Sequence, residues 1–387
     1  GYNSAGVGMS STETIFSSEK ALSADPYVED GLAENCTYNI VLPYIRTARE
    51  GVERLGMLIE KYGSAEGFGI GFIDCSEVWY LENACGHYWL ACRIPCDSYF
   101  VTGNQSRYRD YDPHDNENFM ASAGLVAFAE RNGLYDPAYG KFDFHEAYSR
   151  DEKLDVTYNY PRVWALQQMF SPAISNDVTS NTFPVFAQAE KTIGISELRK
   201  AFRFHYNDTD HDPYLHCNGR EPYRPVSIFR TTQTHLLQVR PELPRAIGCM
   251  TYVAMGMADL GVFLPLYQGV KSYPEAYSMG NGHADSKSAY WKFRKVMTLG
   301  MTDYNAYAPL IKETYSRLEV ENDQRQKEME AEYLKIFNTE PMKAQDMLQQ
   351  FSDDLLNKAL KVADGLTEEL FTRLTQDIQK EYLFHGA

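Results

Sequence analysis

The chain has 387 residues, of which 44% are hydrophobic and 23% are charged, and its 28 Tyr and 20 Phe argue against disorder. This length is enough for one large domain or for two smaller domains with full cores. The formal net charge of −16 repels phosphate groups and anionic lipid surfaces, so we expect neither nucleic acid nor a membrane as a partner.

The first third of the chain mixes strand and helix patterns. Residues 1–14 predict a strand, and residues 39–62 predict a helix because apolar residues recur there at steps of three and four. Gly63 is typical of a helix end. Between residues 67 and 103, short aromatic and β-branched runs alternate with Gly, Asp, Asn and Pro, which predicts an antiparallel meander. A further helix is predicted at residues 117–133.

The middle of the chain predicts a second group of strands at residues 226–232, 235–240 and 250–255. The apolar stretch 247–267 is the best candidate for a membrane span, but Asp259, glycines and a proline interrupt it. We therefore interpret this stretch as strand and loop.

The last part of the chain is charged and periodic. It predicts two long helices at residues 306–336 and 341–383, with a break at Pro341. The order of all the predicted elements suits two antiparallel sheets with helices outside.

Cysteine usage indicates a reducing compartment. An odd number of cysteines in a chain of this length fits free thiols better than a disulfide framework, so we expect a cytoplasmic protein. The seven cysteines are Cys36, Cys75, Cys85, Cys92, Cys96, Cys217 and Cys249.

Two groups of potential metal ligands are present, and we favour a metal-free interpretation of both. Cys85, His87, Cys92 and Cys96 lack the paired spacing of zinc sites, and alternation along a predicted hairpin separates their side chains. Residues 208–212 carry three alternating aspartates but lack the closing Glu of a calcium loop. We expect neither a metal nor another cofactor.

Several sequence runs match one known family, and they occur in the same order as in that family. They are GYNSAGV at 1–7, MSSTET at 9–14, LPYIRTAREG at 42–51, EVWYLE at 77–82 followed by Gly86-His87 and Trp89, NGLYDP at 132–137, YPRVW at 160–164, YRPVSIFRT at 223–231 followed by His235, Gln238, Arg240-Pro241 and Leu243-Pro244, and AYWK at 289–292. Any single run carries little weight, but the ordered set is specific. The chain resembles the bacterial cysteine dipeptidases, N-terminal-nucleophile hydrolases related to penicillin V acylase and bile-salt hydrolase.

The resemblance implies a fold and an activity. The fold is α+β, a four-layer αββα sandwich formed by residues 1–300 and incomplete at its N-terminus. Residues 301–387 would form a helical extension that packs on the sandwich or at an oligomer interface. The implied activity is the hydrolysis of free dipeptides by a homo-oligomeric enzyme.

In the class that the chain resembles, the nucleophile is a cysteine at the start of the mature chain. Its thiolate attacks the amide carbonyl, its own α-amine acts as the base, and water cleaves the resulting acyl-enzyme. The matched GYNSAGV stretch lies inside the family's proteins, so we expect the nucleophile and its neighbouring Arg and Asp upstream of Gly1. Cys36 is a poor substitute because its own amine is bound in a peptide bond.

Asn104 and Arg162 are the best catalytic candidates within the chain. Asn104 follows a predicted strand at residues 99–102, where the related acylases place an Asn that donates to the oxyanion or orders the site. Arg162 lies in a segment that loosely matches their active-site Arg, and a guanidinium can bind a dipeptide carboxylate through two parallel hydrogen bonds. The alternatives are a turn residue for Asn104 and a structural ion pair for Arg162.

Thr12 and Glu13 are candidates for substrate binding. They end the first predicted strand, near the place where relatives carry a donor to the oxyanion. A carboxylate at Glu13 would also suit the substrate ammonium. The alternative is an ordinary strand terminus.

Three functions remain open on sequence alone. The first is the cysteine dipeptidase. The second is a non-catalytic assembly or binding protein that kept the fold without the nucleophile. The third is an amidase or acylase on a non-peptide amide, which shares the chemistry and differs only in the pocket.

Overall fold

The computed structural model describes residues 1–13, 15–215, 220 and 222–382, without the side chain of Glu13. The chain divides into two compact units. Unit 1 comprises Gly1–Ile193 with Val239–Pro241, and unit 2 comprises Gly194–Gln238 with Glu242–Ala387. Each unit contains antiparallel strands and helices, so the prediction of a mixed fold with antiparallel sheets is confirmed.

Unit 1 contains seven strands and seven α-helices among its described residues. The strands are β1 (Gly8–Glu13), β2 (Phe68–Ile73), β3 (Val78–Asn83), β4 (Trp89–Arg93), β5 (Tyr99–Phe100), β6 (Phe119–Ala121) and β7 (Phe186–Ala187). The helices are α1 (Glu19–Ala24), α2 (Glu34–Ile40), α3 (Ala48–Tyr62), α4 (Leu125–Arg131), α5 (Phe144–Tyr148), α6 (Asp155–Tyr158) and α7 (Tyr160–Phe170), with 3-10 turns at Leu42–Tyr44 and Pro137–Tyr139. The main sheet has the order β1-β2-β3-β4-β6, and β5 pairs with β7.

Helix α3 packs its apolar side against one face of the main sheet, where Val52, Leu55 and Ile59 are buried. The predicted helix at 39–62 begins later than expected. Thr47 starts α3 by accepting a hydrogen bond from the backbone N–H of Glu50, while the preceding residues form separate short helices because Pro43 has no N–H with which to continue α2. The predicted end at Gly63 is confirmed, with φ of 76°.

The predicted meander is confirmed for β2, β3 and β4, but its edge is different. The fourth run, β5, leaves this sheet and pairs with β7. The edge next to β4 is taken by Phe119–Ala121, which was predicted to be helical. The side chain of Asp115 accepts hydrogen bonds from the backbone of residues 117 and 118, and this turn directs the chain into β6. Gly124, at φ of 73°, then precedes the shorter helix α4.

Unit 2 contains three strands and five α-helices among its described residues. These are α8 (Ile195–Arg203), β8 (Gln233–Val239), α9 (Arg245–Gly248), β9 (Cys249–Met255), β10 (Leu264–Tyr267), α10 (Ala289–Gly300), α11 (Tyr304–Ile336) and α12 (Pro341–Glu381), with a 3-10 turn at Glu275–Tyr277. The sheet order is β10-β9-β8. The strand predicted at 226–232 was wrong, because Arg294 Nη1 donates to the carbonyls of Phe229 and Thr231, and these carbonyls make no strand ladder.

The long helices at the end of the chain are confirmed as α11 and α12, with Pro341 as the first residue of α12. They pack with α10 and β10 around a large apolar core. After the last two residues of α9, the stretch 247–267 forms strands and loops as predicted. Within the described residues, every helix is either too short or too polar to cross a bilayer.

Candidate active site

Asn104 lies in an irregular segment that follows β5, and another asparagine holds its backbone at both ends. The backbone N–H of Asn104 donates to Oδ1 of Asn159 at 2.8 Å. In return, Nδ2 of Asn159 donates to the carbonyl of Asn104 at 3.2 Å. A side-chain amide thus replaces a backbone partner, which fixes Asn104 without any regular secondary structure.

Arg162 lies in the first turn of α7, and its side chain contacts both Asn104 and Asn159. Its Nη2 donates to Oδ1 of Asn104 at 2.8 Å and to Oδ1 of Asn159 at 2.7 Å. Its Nε donates to the carbonyl of Tyr158 at 2.8 Å, and the guanidinium lies 5.3 Å from the centre of the Tyr158 ring. The two catalytic candidates chosen from sequence are therefore in direct contact, and both belong to unit 1.

Asn159 was missed by the sequence analysis, although it is the centre of this cluster. It is 1% exposed, and its Nδ2 also donates to Oδ1 of Asp155 at 2.5 Å. Its position directly before the Tyr-Pro that begins α7 is typical of a helix cap, yet its side chain makes no capping hydrogen bond. That side chain instead reaches the segment of Asn104.

Gly103 explains how these groups approach so closely. A Cβ at position 103 would lie 2.9 Å from Oδ1 of Asn159 and 3.2 Å from Nη2 of Arg162. Any larger residue would therefore push the asparagine and the guanidinium away from Asn104.

The cluster has a clear chemical capability. Because Oδ1 of Asn104 accepts from Arg162, the orientation of the carboxamide is fixed and its Nδ2 is the donor group. An amide N–H held in this way can donate to a developing oxyanion. The guanidinium beside it is a permanent positive charge that suits a carboxylate, while its Nε and Nη2 donate to Tyr158, Asn104 and Asn159.

Thr12 is placed on the main sheet. It lies opposite Gly69 of β2, which in turn lies opposite Glu82 of β3. Residues directly opposite one another in antiparallel strands project to the same face, so Thr12 and Glu82 share one face with only a glycine between them. Glu13 is the last residue of β1, but its side chain lies outside what the structure describes.

Glu82 is a second residue that the sequence analysis did not single out. It is 0% exposed, and its carboxylate accepts hydrogen bonds from Oγ of Ser106 at 2.6 Å and from the backbone N–H of Arg107 at 2.9 Å. Burial raises the pKa of Glu82 to about 7, against the opposing effect of these hydrogen bonds and of the Arg107 charge. A charged residue at the end of the apolar run VWYL was the available signal.

Arg107 fixes the same segment from its other side. Its Nη2 donates to the carbonyl of Pro184 at 2.8 Å and to that of Phe183 at 3.3 Å, and its Nε donates to the carbonyl of Val101 at 3.2 Å. Burial lowers the pKa of Arg107 to about 10, so the guanidinium stays charged at neutral pH. The buried polar segment between β5 and Arg109 is thus held at several points.

The described cysteines are all free thiols, and Cys217 lies outside the described residues. Cys85, Cys92 and Cys249 are buried, and burial raises the pKa of Cys85 and of Cys92. Cys36 donates to the carbonyl of Ala33, one turn back in the chain. A buried thiol with a raised pKa is a poor nucleophile, because the thiolate is the reactive form.

The two discounted metal sites have other partners in the structure. His87 contacts Asp25 through Nδ1 at 2.8 Å. Asp212 is buried against Nδ1 of His205 at 2.9 Å, whereas Asp210 pairs with Arg220. Among the residues that the structure describes, no three or more His, Cys, Asp or Glu are grouped so that they could hold a metal ion.

Comparison with known proteins identifies the family. Residues 1–317 match peptidase family C69. The chain is 51% identical over 310 residues to a probable dipeptidase of Salmonella dublin, an alignment that covers 77% of this chain and 71% of that protein. It is 34% identical over 311 residues to a probable dipeptidase of Latilactobacillus sakei, which covers 79% of this chain and 65% of that protein, slightly under two thirds of its length.

A third relative extends the alignment through the C-terminal helices. The probable dipeptidase A of Streptococcus pyogenes serotype M3 is 32% identical over 383 residues, covering 96% of this chain and 82% of that protein. The chain belongs to peptidase family C69, a family of cysteine-type peptidases. The family membership predicted from the sequence runs is thereby confirmed.

Proposed function

We propose that this chain hydrolyses the peptide bond of free dipeptides through an acyl-enzyme. The observation that carries the proposal is the contact between Arg162 and Asn104 in a chain of a cysteine peptidase family. It puts a carboxylate-binding group and an oxyanion donor side by side, which suits a substrate whose carboxylate is only one residue from the scissile bond. The names of the relatives, each a dipeptidase or probable dipeptidase, support the same substrate class.

Each candidate residue has a separate role in this proposal. Arg162 binds the terminal carboxylate of the dipeptide. Asn104 donates from Nδ2 to the carbonyl oxygen as it becomes an oxyanion. Thr12, on the sheet face of Glu82, contacts the substrate near the same oxygen, and Glu13 binds the substrate ammonium.

The nucleophile in this proposal is an N-terminal cysteine, as in the class of hydrolases that the chain resembles. Its α-amine, with a pKa of about 7.7–8.0 when unperturbed, takes the thiol proton. The thiolate forms a bond to the carbonyl carbon, the C–N bond breaks, and the departing amine receives that proton. Water then attacks the thioester, which releases the acyl product and restores the thiol.

The test is an assay of the full-length protein with unmodified dipeptides before and after treatment with iodoacetamide. We expect hydrolysis that alkylation abolishes, and peptide mapping that places the inactivating label on an N-terminal cysteine. Loss of activity that follows labelling of Cys36, Cys75 or Cys96 would contradict the assignment of the nucleophile. An inactive full-length protein would contradict the proposed function and favour the non-catalytic alternative. Hydrolysis of acyl amides without hydrolysis of dipeptides would favour the acylase alternative.

The finer fold assignment is part of the proposal. A four-layer αββα sandwich is supported by two antiparallel sheets, one with α3 on a face and one packed with the C-terminal helices. The division into residues 1–300 and 301–387, a homo-oligomer and a cytoplasmic location remain predictions. Light scattering of the intact protein tests the homo-oligomer.

A further inference from the structure

The segment that carries Asn104 is anchored on both sides by side chains. On one side, Asn159 binds both backbone groups of Asn104. On the other side, the carboxylate of Glu82 binds Ser106 and Arg107, the second and third residues after Asn104. Few residues lie between the two anchors, so a displacement at one of them moves Asn104.

Both carboxylate oxygens of Glu82 accept hydrogen bonds from the segment that carries Asn104. Its Oε2 accepts from the Ser106 hydroxyl, and its two oxygens lie 2.9 and 3.2 Å from the backbone nitrogen of Arg107. The position is fully buried, so a side chain without an acceptor there would leave a backbone N–H unsatisfied away from water. The segment would have to move for this N–H to reach another hydrogen-bond acceptor.

Glu82 itself is fixed by the sheet. It lies on β3 between Gly69 of β2 and Leu90 of β4, so its Cα position is set by strand pairing on both sides. A carboxylate on a central strand is a rigid reference point, unlike one on a loop. Burying the Glu82 carboxylate costs desolvation free energy, which argues that this residue does more than stabilise the fold.

We propose that Glu82 is a positioning residue that acts through Ser106 and Arg107 to hold the Asn104 carboxamide in its position beside the guanidinium of Arg162. This inference rests on the proposed function, because the position of the Asn104 carboxamide matters for catalysis only if Asn104 donates to an oxyanion. Glu82 does not touch the substrate. Removing its acceptors lowers the population of the aligned Asn104 and thus lowers kcat more than it raises KM.

Two substitutions at Glu82 distinguish the loss of the hydrogen-bond acceptors from a change in the shape of the side chain. Glu82→Gln keeps one acceptor for the N–H of Arg107, while its amide can donate to a reoriented Ser106 hydroxyl. Glu82→Met keeps the length and removes both acceptors. We expect kcat for a dipeptide to fall about 10- to 100-fold in Glu82→Met and less than about threefold in Glu82→Gln, each measured on the full-length protein well below its melting temperature.

The matched control is Asp74→Asn. Asp74 is also a carboxylate of unit 1 that accepts backbone N–H groups, those of Ala48, Ser76 and Glu77, but it lies in the turn before β3, whereas Glu82 lies near the end of that strand. We expect this variant to lose stability and to keep the kcat of the wild type. An unchanged kcat in folded Glu82→Met would overturn the proposal.

Hydrogen exchange at the amides of Asn104 and Arg107 gives a readout that does not depend on activity. We expect faster exchange in Glu82→Met than in the wild type, with no change in Asp74→Asn. If Glu82→Met does not fold, Ser106→Ala removes one of the hydrogen bonds, and unchanged exchange and kcat in that variant would contradict the inference. A wild type that hydrolyses no dipeptide refutes the proposed function, whereas unchanged exchange in Glu82→Met refutes the positioning role.

Discussion

Nη2 of Arg162 lies 2.8 Å from Oδ1 of Asn104. This bond joins the start of α7 to a segment 58 residues earlier in the chain. The guanidinium also donates to Asn159, which holds the backbone of Asn104. The proposed substrate binding at Arg162 and the proposed oxyanion stabilisation at Asn104 would therefore be coupled, and substitutions at the two positions are expected to be non-additive.

The substitution Asn104→Asp tests the donor role of the carboxamide. The aspartate keeps an oxygen that Arg162 can bind, so the cluster keeps its shape, but an ionised carboxylate has no N–H to donate and repels an oxyanion. We expect kcat to fall by about 10²- to 10³-fold with a small change in KM. Steady-state kinetics with one dipeptide measure this, and a change confined to KM would contradict the assignment.

The substitution Arg162→Lys tests carboxylate binding. Lysine keeps the charge but has a single nitrogen, so it cannot bind a carboxylate and also make the hydrogen bonds to Asn104, Asn159 and the carbonyl of Tyr158. We expect kcat/KM for a dipeptide to fall about 10- to 100-fold, from the loss of charge-assisted hydrogen bonds. The matched measurement uses the same dipeptide with a C-terminal amide. If Arg162 recognises the carboxylate, the amide is a poor substrate for the wild type, and the substitution affects its hydrolysis much less.

The site illustrates which parts of a structure a sequence can predict. Asn104 and Arg162 were chosen because their residue types match the chemistry, Asn104 from its place after a predicted strand and Arg162 from a run that resembles a family. Asn159 and Glu82 were not found because their roles depend on contacts across 55 and 24 residues of sequence, respectively, which no local pattern encodes. The charged residue after the apolar run VWYL marked the position of Glu82, but an exposed Glu near the end of a strand gives the same local signal.

The fold shows the same difference between elements that local sequence patterns predict and elements that depend on contacts with distant residues. The helix α3 and the long helices α11 and α12 were predicted because a period of 3.6 persists in them over many residues. The strand β6 was missed because its three residues take their conformation from pairing with β4. The wrong strand at 226–232 arose because β-branched and aromatic residues favour strands, whereas the carbonyls of this segment bind Arg294.

The reactivity of the thiols follows from their burial. Cys75 and Cys96 are exposed, whereas Cys85 and Cys92 are buried and have raised pKa values. We expect Ellman's reagent at neutral pH to modify the two exposed thiols rapidly and the two buried ones only after unfolding. The double substitution Cys75→Ser and Cys96→Ser should leave dipeptide hydrolysis unchanged. Inactivation of this variant would assign one of these thiols a role in the reaction.

Glu82 should make the stability of the protein depend on pH in a direction that is unusual for a carboxylate. Its pKa in the folded protein is about 7, above the ordinary value of 4.5, because burial disfavours the charged form. The folded state therefore holds the proton more tightly than the unfolded state. The contribution of Glu82 to the free energy of unfolding is fully present below pH 4.5 and decreases as the pH rises to about 7, by at most about 3 kcal/mol.

The other titratable groups around Glu82 do not produce this effect. Burial raises the pKa values of Tyr80, Cys92 and Tyr108, so these groups stay neutral over the range, and Arg107 stays charged below its pKa of about 10. Urea unfolding of the wild type and of Glu82→Gln between pH 4.5 and 8 isolates the contribution. We expect the free energy of unfolding of the wild type to decrease relative to that of Glu82→Gln as the pH rises, because the amide cannot ionise. A difference between the two proteins that stays constant over this range would show that Glu82 ionises in the folded state as it does in water.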